Sequence, residues 1–404
     1  MTAVSTARQQ TQAGLGPLLI AYAGFILLGL PTGILGVAWP SIRDTFGGQN
    51  DWFGVLFTAS TIGYTLASTS SGRLVARLGM GTFLLLGSLV TLLGLLGYAL
   101  APAWWVLVGA GLATGLGSGV IDAGLNTYVA TNHSAGRLNW LHAFFGVGAT
   151  LGPQVMTRVL EAGIGWQWGY LAVAALQLGL TLAIGLTLPR WWLSGDADDS
   201  PAANGARAVE TLRLPVVWFG IALFILYTGI ESTGGNWTFT LFVEGRGVDP
   251  NAAGLWVSLY WGGLTAGRFL MGAIANRVEN NLLLRLCLGG TVFGALLIAL
   301  NVSGLLNQAG MALMGLAQAA VFPTLIAVTP GRVGPAHAAN AIGFQVGAAG
   351  VGFAILPSLA GVLAQQIGLE SIPPAMVISG LLWLALYEVS VRWAARRERV
   401  AVAD

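Results

Sequence analysis

Apolar runs of about 20 residues recur along the whole chain, and polar residues collect between them. Twelve such runs fall at roughly 17–39, 53–72, 80–100, 104–130, 138–160, 167–188, 215–241, 252–275, 281–301, 304–328, 338–363 and 373–394. At 1.5 Å per residue a helical run of that length crosses the ~30 Å hydrocarbon core of a bilayer. The pattern therefore predicts an all-α membrane protein with twelve transmembrane helices. The longest runs have length to spare for tilting. The first sixteen residues are polar, and the apolar run after them is too long for a signal-peptide core and ends in no small-residue cleavage pattern. It reads as a retained first span. The only long polar stretch between runs is 189–214, which holds Ser194, Gly195, Asp196, Asp198, Asp199, Pro201, Asn204 and Gly205. That is a flexible-linker composition. Two six-helix bundles are expected, an N-terminal one over 1–188 and a C-terminal one over 215–404, joined by the linker 189–214.

Composition agrees with the membrane reading and removes several function classes. Hydrophobic residues make up 55% of the chain and charged residues 8%, where a soluble domain carries about a quarter charged. The 59 Gly residues lie largely inside the apolar runs, where Gly lets membrane helices approach closely. A net charge of +2 without charge runs gives no footprint for nucleic acid. Lys is absent, so there is no Walker lysine, and ATP-driven transport within this chain is excluded. His133, His142 and His337 are scattered, and Cys287 stands alone in an apolar run. No metal site, disulfide framework or cofactor is expected. No hydrophilic reactive cluster marks one membrane face, so an enzyme is not expected. Charge still sets orientation. With the N-terminus inside, fifteen Arg residues fall on the cytoplasmic side and three, Arg43, Arg158 and Arg246, on the other. The positive-inside rule places both termini in the cytoplasm.

The two halves match at an offset of about 200 residues. Gly115-Leu116-Gly117 in span 4 corresponds to Gly315-Leu316-Ala317 in span 10, and the Gly-rich span 5 (Gly146, Gly148, Gly152) to span 11 (Gly347, Gly350, Gly352). Span 2 ends in Gly72-Arg73-Leu74-Val75-Ala76-Arg77, and span 8 in Gly272-Ala273-Ile274-Ala275-Asn276-Arg277. Twelve spans in two halves, with this Gly-x-Leu-x-x-Arg signature, resemble the major facilitator superfamily over essentially the whole chain. The resemblance implies alternating access, with two bundles rocking around a site near the bilayer midplane. The family's Asp before the signature Arg is replaced by Ala76 in one half and Asn276 in the other, which implies a weaker cytoplasmic latch. Longer strings narrow the resemblance. Gly29 to Pro40, Asp122-Ala123-Gly124-Leu125-Asn126, Leu138 to Pro153 and Gly229 to Trp237 resemble the fucose–galactose–proton symporter group and its sodium-dependent glucose transporter relatives. That implies a hexose-like cargo. The departure is in span 1, where Thr32 stands in place of an acidic residue.

An ionisable residue at membrane depth costs at least ~2.5 kcal/mol to insert and needs a reason. Asp122 in span 4 and Glu231 in span 7 are two such residues. Asn126 lies one helical turn from Asp122 on the same face, and His142 enters span 5 from the same side. Asp122 and His142 are expected to handle protons, with Asn126 beside them for the substrate. After Glu231 come Ser232, Thr233, Gly234, Gly235, Asn236 and Trp237. The Gly pair is expected to break the helix and open backbone groups to a ligand. A carboxylate and an amide grip sugar hydroxyls and an indole face stacks on a sugar ring, so Glu231, Asn236 and Trp237 are candidate substrate residues, with Gln345 in span 11. Weaker candidates are Gln318, Tyr260 and Trp261. Pro31, Pro153, Pro323 and Pro357 are expected to kink their helices.

The expected function is proton-coupled symport of a sugar or sugar-like neutral solute by a multi-pass protein of a cell's inner membrane. Its partners are that small molecule, protons and the lipid bilayer, and it works as a monomer. Two alternatives stand open: a proton-driven exporter of drugs or metabolites, for which Gly152-Pro153 resembles an antiporter motif, and sodium-coupled sugar symport.

Overall fold

The structure is a computed structural model that describes residues 15–133, 135–192, 207–274 and 278–403. Among these no residue is in a strand. The helices are α1 (Leu15–Thr45), α2 (Trp52–Leu78), α3 (Met80–Leu100), α4 (Trp104–Asn132), α5 (Ala135–Glu161), α6 (Gln167–Leu186), α7 (Pro215–Thr240), α8 (Pro250–Ile274), α9 (Asn280–Leu300), α10a (Gly304–Gln318), α10b (Val321–Val333), α11 (Pro335–Gln366) and α12 (Ile372–Ala403). With α10a and α10b as two parts of one span, the twelve predicted spans are all helical. Nine of them are long and apolar enough to cross a membrane by length and composition. Among the described residues, the other three are α2, α5 and α8. The linker residues 193–206 and the Asn276-Arg277 end of the second signature lie outside the described residues.

Helix ends follow local chemistry. The Glu279 carboxylate caps α9 by accepting from the backbone N–H groups of Asn281 and Leu282, and these hold it below the usual carboxylate range. Ser303 caps α10a from its hydroxyl, and Asn301, with φ 48, closes α9 in the left-handed region. Pro215 and Pro335 stand in the first turns of α7 and α11, where a missing N–H costs nothing.

The chain divides by contact into two compact units, Met1–Gly48 with Val55–Ala197, and Gln49–Gly54 with Asp198–Asp404. In the first, α1 lies along α5, and α3 packs on α4 and α6. In the second, α7 lies along α11, and α9 packs on α10a and α12. The repeat extends to atomic contacts. A Cβ on Gly115 of α4 would lie 1.9 Å from the Ser60 carbonyl oxygen of α2. A Cβ on Gly315 of α10a would lie 1.9 Å from the Tyr260 carbonyl oxygen of α8. Only Gly allows these backbones to touch.

Pro323 interrupts the tenth span. It has no N–H to offer the Ala319 carbonyl, and the chain turns at Ala319–Ala320 between α10a and α10b. The Ala320 N–H is directed to the buried Cys287 sulfur of α9. After α7 a π-turn over Leu241–Gly245 leads to Arg246. Arg246 has a buried side chain that pairs with both oxygens of Glu370 at 2.8 Å and donates to Asn307 Oδ1 at 3.3 Å. The Arg246 hydrogen bonds hold the Glu370 carboxyl below its ordinary range.

Candidate functional site

Each unit holds one of the two membrane-depth carboxylates, and each is met by a tyrosine. In the first unit, Asp122 is half-buried on α4. Asn126, one turn along, donates its amide to Asp122 Oδ1 at 3.1 Å and to the Asp122 carbonyl at 3.0 Å. From α2, the Tyr64 hydroxyl donates to Oδ2 at 2.6 Å. Tyr64 lies about one turn beyond Ser60, the residue that Gly115 lets α4 touch, so the glycine contact brings phenol and carboxylate together. Both carboxylate oxygens are thus engaged by neutral donors, and among the described residues Asp122 makes no ion pair. Composition and spacing pointed to Asp122 and Asn126 but not to Tyr64, because nothing in span 2 sets this tyrosine apart. His142 is exposed on α5 and stands edge-on to Phe25 of α1 at 5.5 Å.

In the second unit, Glu231 is 5% exposed on α7. Tyr227, one turn earlier, donates a short hydrogen bond to Glu231 Oε2. The Arg268 guanidinium of α8 reaches the same Tyr227 hydroxyl and acts electrostatically on the Glu231 carboxylate. Counted by sequence among the cytoplasmic-side charges, Arg268 is instead a partner of a buried acid. Trp383 of α12 stacks on Tyr227 with centroids 5.8 Å apart. Tyr260 of α8 lies 2.9 Å from the Glu231 carbonyl and 2.6 Å from the Gln318 amide. The single hydroxyl proton is shared between two acceptors, the Glu231 carbonyl and Gln318 Oε1, and the Gln318 NH2 has no partner among the described residues.

The expected break at Gly234–Gly235 does not occur: α7 runs unbroken to Thr240. The glycines make room for rings instead. The Tyr260 ring lies 3.4 Å from where a Cβ on Gly234 would be, and a Cβ on Gly235 would fall inside the Trp261 indole. Asn236 donates its amide to the Ser232 carbonyl at 2.8 Å. Trp237 is fully buried, gives its indole N–H to the Pro357 carbonyl of α11 at 2.8 Å, and meets the Phe53 ring of the same unit at 5.1 Å. Gln345 accepts from Thr329 at 3.0 Å and lines a cavity of about 10 Å³ with Gly220, Phe224 and Arg332, room for about one water. The structure thus joins Asp122 with Asn126 and joins Glu231 with Tyr260 and Gln318. Trp237 and Gln345 are engaged with partners on other helices.

A family model described as Major Facilitator Superfamily matches residues 21–304 and again 219–402. The glucose/mannose transporter GlcP of Bacillus subtilis is 21% identical over 76% of this chain and 78% of its own length. The solved nucleoside transporter NupG superposes with a TM-score of 0.79 at 14% identity, covering 93% of this chain and 99% of its own. The E. coli fucose:proton symporter FucP superposes with a TM-score of 0.62 at 17% identity, covering 94% and 98%.

Proposed function

The chain belongs to the major facilitator superfamily and is a multi-pass membrane transporter, and from that premise we propose that it carries a neutral, sugar-like solute together with protons by alternating access. The observation that carries the coupling is the Asp122 cluster. Its two partners, Tyr64 and Asn126, are neutral, so a proton rather than a fixed cation is what can neutralise the carboxylate as the transporter cycles. Glu231 differs in having the Arg268 cation near it through Tyr227, and offers carboxyl oxygens that accept substrate hydroxyls. The cargo class is supported by the name of GlcP and by the hydroxyl, amide and indole groups around Glu231. The reading places the protein in a cell's inner membrane as a monomer, with both termini and the linker 189–214 cytoplasmic.

The test is charge movement in proteoliposomes holding the full chain. Hexoses, deoxyhexoses, disaccharides and nucleosides are added with and without sodium at two pH values. A sodium-independent current for a sugar, lost in Asp122→Asn while solute exchange persists, is the expected result. Glu231→Gln should weaken solute binding itself. Accumulation at the wild-type level in Asp122→Asn would remove that residue from coupling.

A further inference from the structure

A groove on the lateral surface of the second unit serves neither carboxylate cluster. It lies between the start of α7 and α12, has a volume of about 560 Å³, and is lined by Arg213, Pro215, Trp218, Phe219, Ala222 and Leu386. From Pro215 to Ala222 it follows α7 for about 10 Å, at 1.5 Å per residue. Its walls are apolar except at Arg213, two residues before α7 begins. The groove opens outward. Trp218 is 56% exposed, and Leu382, one turn from Leu386 on α12, is 58% exposed. In a membrane-spanning chain such a surface meets lipid. The Trp218 indole N–H donates to the Leu212 carbonyl at 2.8 Å, which fixes the ring at the mouth. Phe219 meets the Trp393 ring of α12 at 6.0 Å, and the exposed Arg392 precedes that tryptophan.

The charge around the mouth is positive. Arg213 is exposed and makes no ion pair among the described residues. The acids nearest in the chain are engaged elsewhere. Glu210 accepts from the Arg207 backbone N–H at 3.1 Å, and Glu388 binds Arg285 through both oxygens. By sequence, the chain beyond Arg392 adds Arg396, Arg397 and Arg399 against Glu398 and Asp404. Arginines clustered at the end of a membrane span attract anionic lipid. We propose that this groove binds an anionic phospholipid. Its acyl chain lies along Trp218, Phe219, Ala222 and Leu386, and its phosphodiester meets the Arg213 guanidinium. A guanidinium makes charge-assisted hydrogen bonds to phosphate oxygens, and the apolar walls take the chain by burial. A head group that also carries an ammonium brings a charge that Arg213 and Arg392 repel. A sugar-like solute does not suit the groove, because its hydroxyls would find no partners along these walls.

The test titrates the purified full chain in detergent with phosphatidylglycerol or with phosphatidylcholine of identical chains, and native mass spectrometry counts the lipid retained. The wild type should prefer phosphatidylglycerol. Arg213→Gln should lower affinity for that lipid about fivefold and abolish the preference, since one arginine at a membrane surface is worth about 1 kcal/mol. Ala222→Phe fills the groove and should weaken both lipids. Arg190→Gln, at an exposed arginine on the linker end of the first unit, removes the same charge and should change neither. Soluble glycerol phosphate, which has no chain for the groove, should not compete. Equal affinity of the wild type for the two lipids would overturn the proposal. So would a preference that survives both Arg213→Gln and Ala222→Phe, or an equal loss in Arg190→Gln, which would assign the attraction to surface charge in general. Displacement by glycerol phosphate would make the site one for free phosphate and would overturn it as well.

Discussion

The paired glycine contacts allow a prediction whose size follows from the structure. In Gly115→Ala and Gly315→Ala the new Cβ would stand 1.9 Å from a carbonyl oxygen of the facing helix. An ordinary contact needs about 3.4 Å, so the helices must part by roughly 1.5 Å. Overpacking of this kind costs about 1–3 kcal/mol, and for a bundle of this size each kcal/mol lowers the melting midpoint by about 2–4 °C. The same movement draws Tyr64 away from Asp122 and Tyr260 away from Gln318, bonds now at 2.6 Å. Stretched by about 1.5 Å, neither remains a hydrogen bond. Both variants should therefore melt several degrees lower and lose transport. Gly109→Ala on α4 and Gly289→Ala on α9 are the controls, because nothing lies within 4 Å of a Cβ at either place. Alanine favours a helix over glycine by about 0.5–1 kcal/mol, so these should melt at or above the wild type. Thermal unfolding in detergent with parallel uptake assays reads all four. If Gly115→Ala or Gly315→Ala melts with the wild type, or Gly109→Ala falls as far as Gly115→Ala, the close approach is not what holds the clusters together.

Two further outcomes follow from the charge pairs. Glu370 is held below its ordinary range by Arg246. Its stabilisation is present above the unfolded value near 4.3 and is lost as pH falls through the lower folded value. Melting midpoints of the wild type and Glu370→Gln should differ slightly at pH 7, since Glu370 is half exposed and screened, and converge in acid once pH has fallen through the lowered folded value; a gap that persists there would exclude the ion pair as its source. Arg268→Gln removes the cation that acts on the buried Glu231 and should lower the midpoint. Adding Glu231→Gln should recover most of the loss, and no recovery would mean that Arg268 acts on something other than Glu231.

How far the sequence can be read depends on whether a signal is local. Spans are legible because apolar length is a property of a contiguous segment, and Asp122 with Asn126 because a spacing of four fixes a shared helix face. The repeat is legible because Gly strings recur in order. Tyr64 and Arg268 are not, since each owes its role to a neighbouring helix. Tyr64 meets Asp122 where Gly115 and Gly119 let α2 and α4 touch. Arg268 lies six residues before the end of α8 and looks like one more charge at a membrane face until α7 packs beside it. Gly234–Gly235 illustrates the opposite error. A glycine pair signals a break when its own helix is considered alone, yet here two rings of α8 occupy the space that side chains would have filled. Pro323 carried a local signal, a kink, and the turn at Ala319–Ala320 follows from its missing N–H.

The burial of Cys287 has a practical consequence. The thiol is the sole cysteine of the chain and is covered on α9, so the natural protein supplies its own low-reactivity background for site-directed labelling. Single cysteines placed at open helix positions such as Gly72 and Gly331, where nothing lies within 4 Å of a Cβ, can take spin or fluorescent probes without first stripping the chain of native thiols. Distances between probes on the two units, followed as solute and pH are changed, would then record the transport cycle on an almost unaltered sequence.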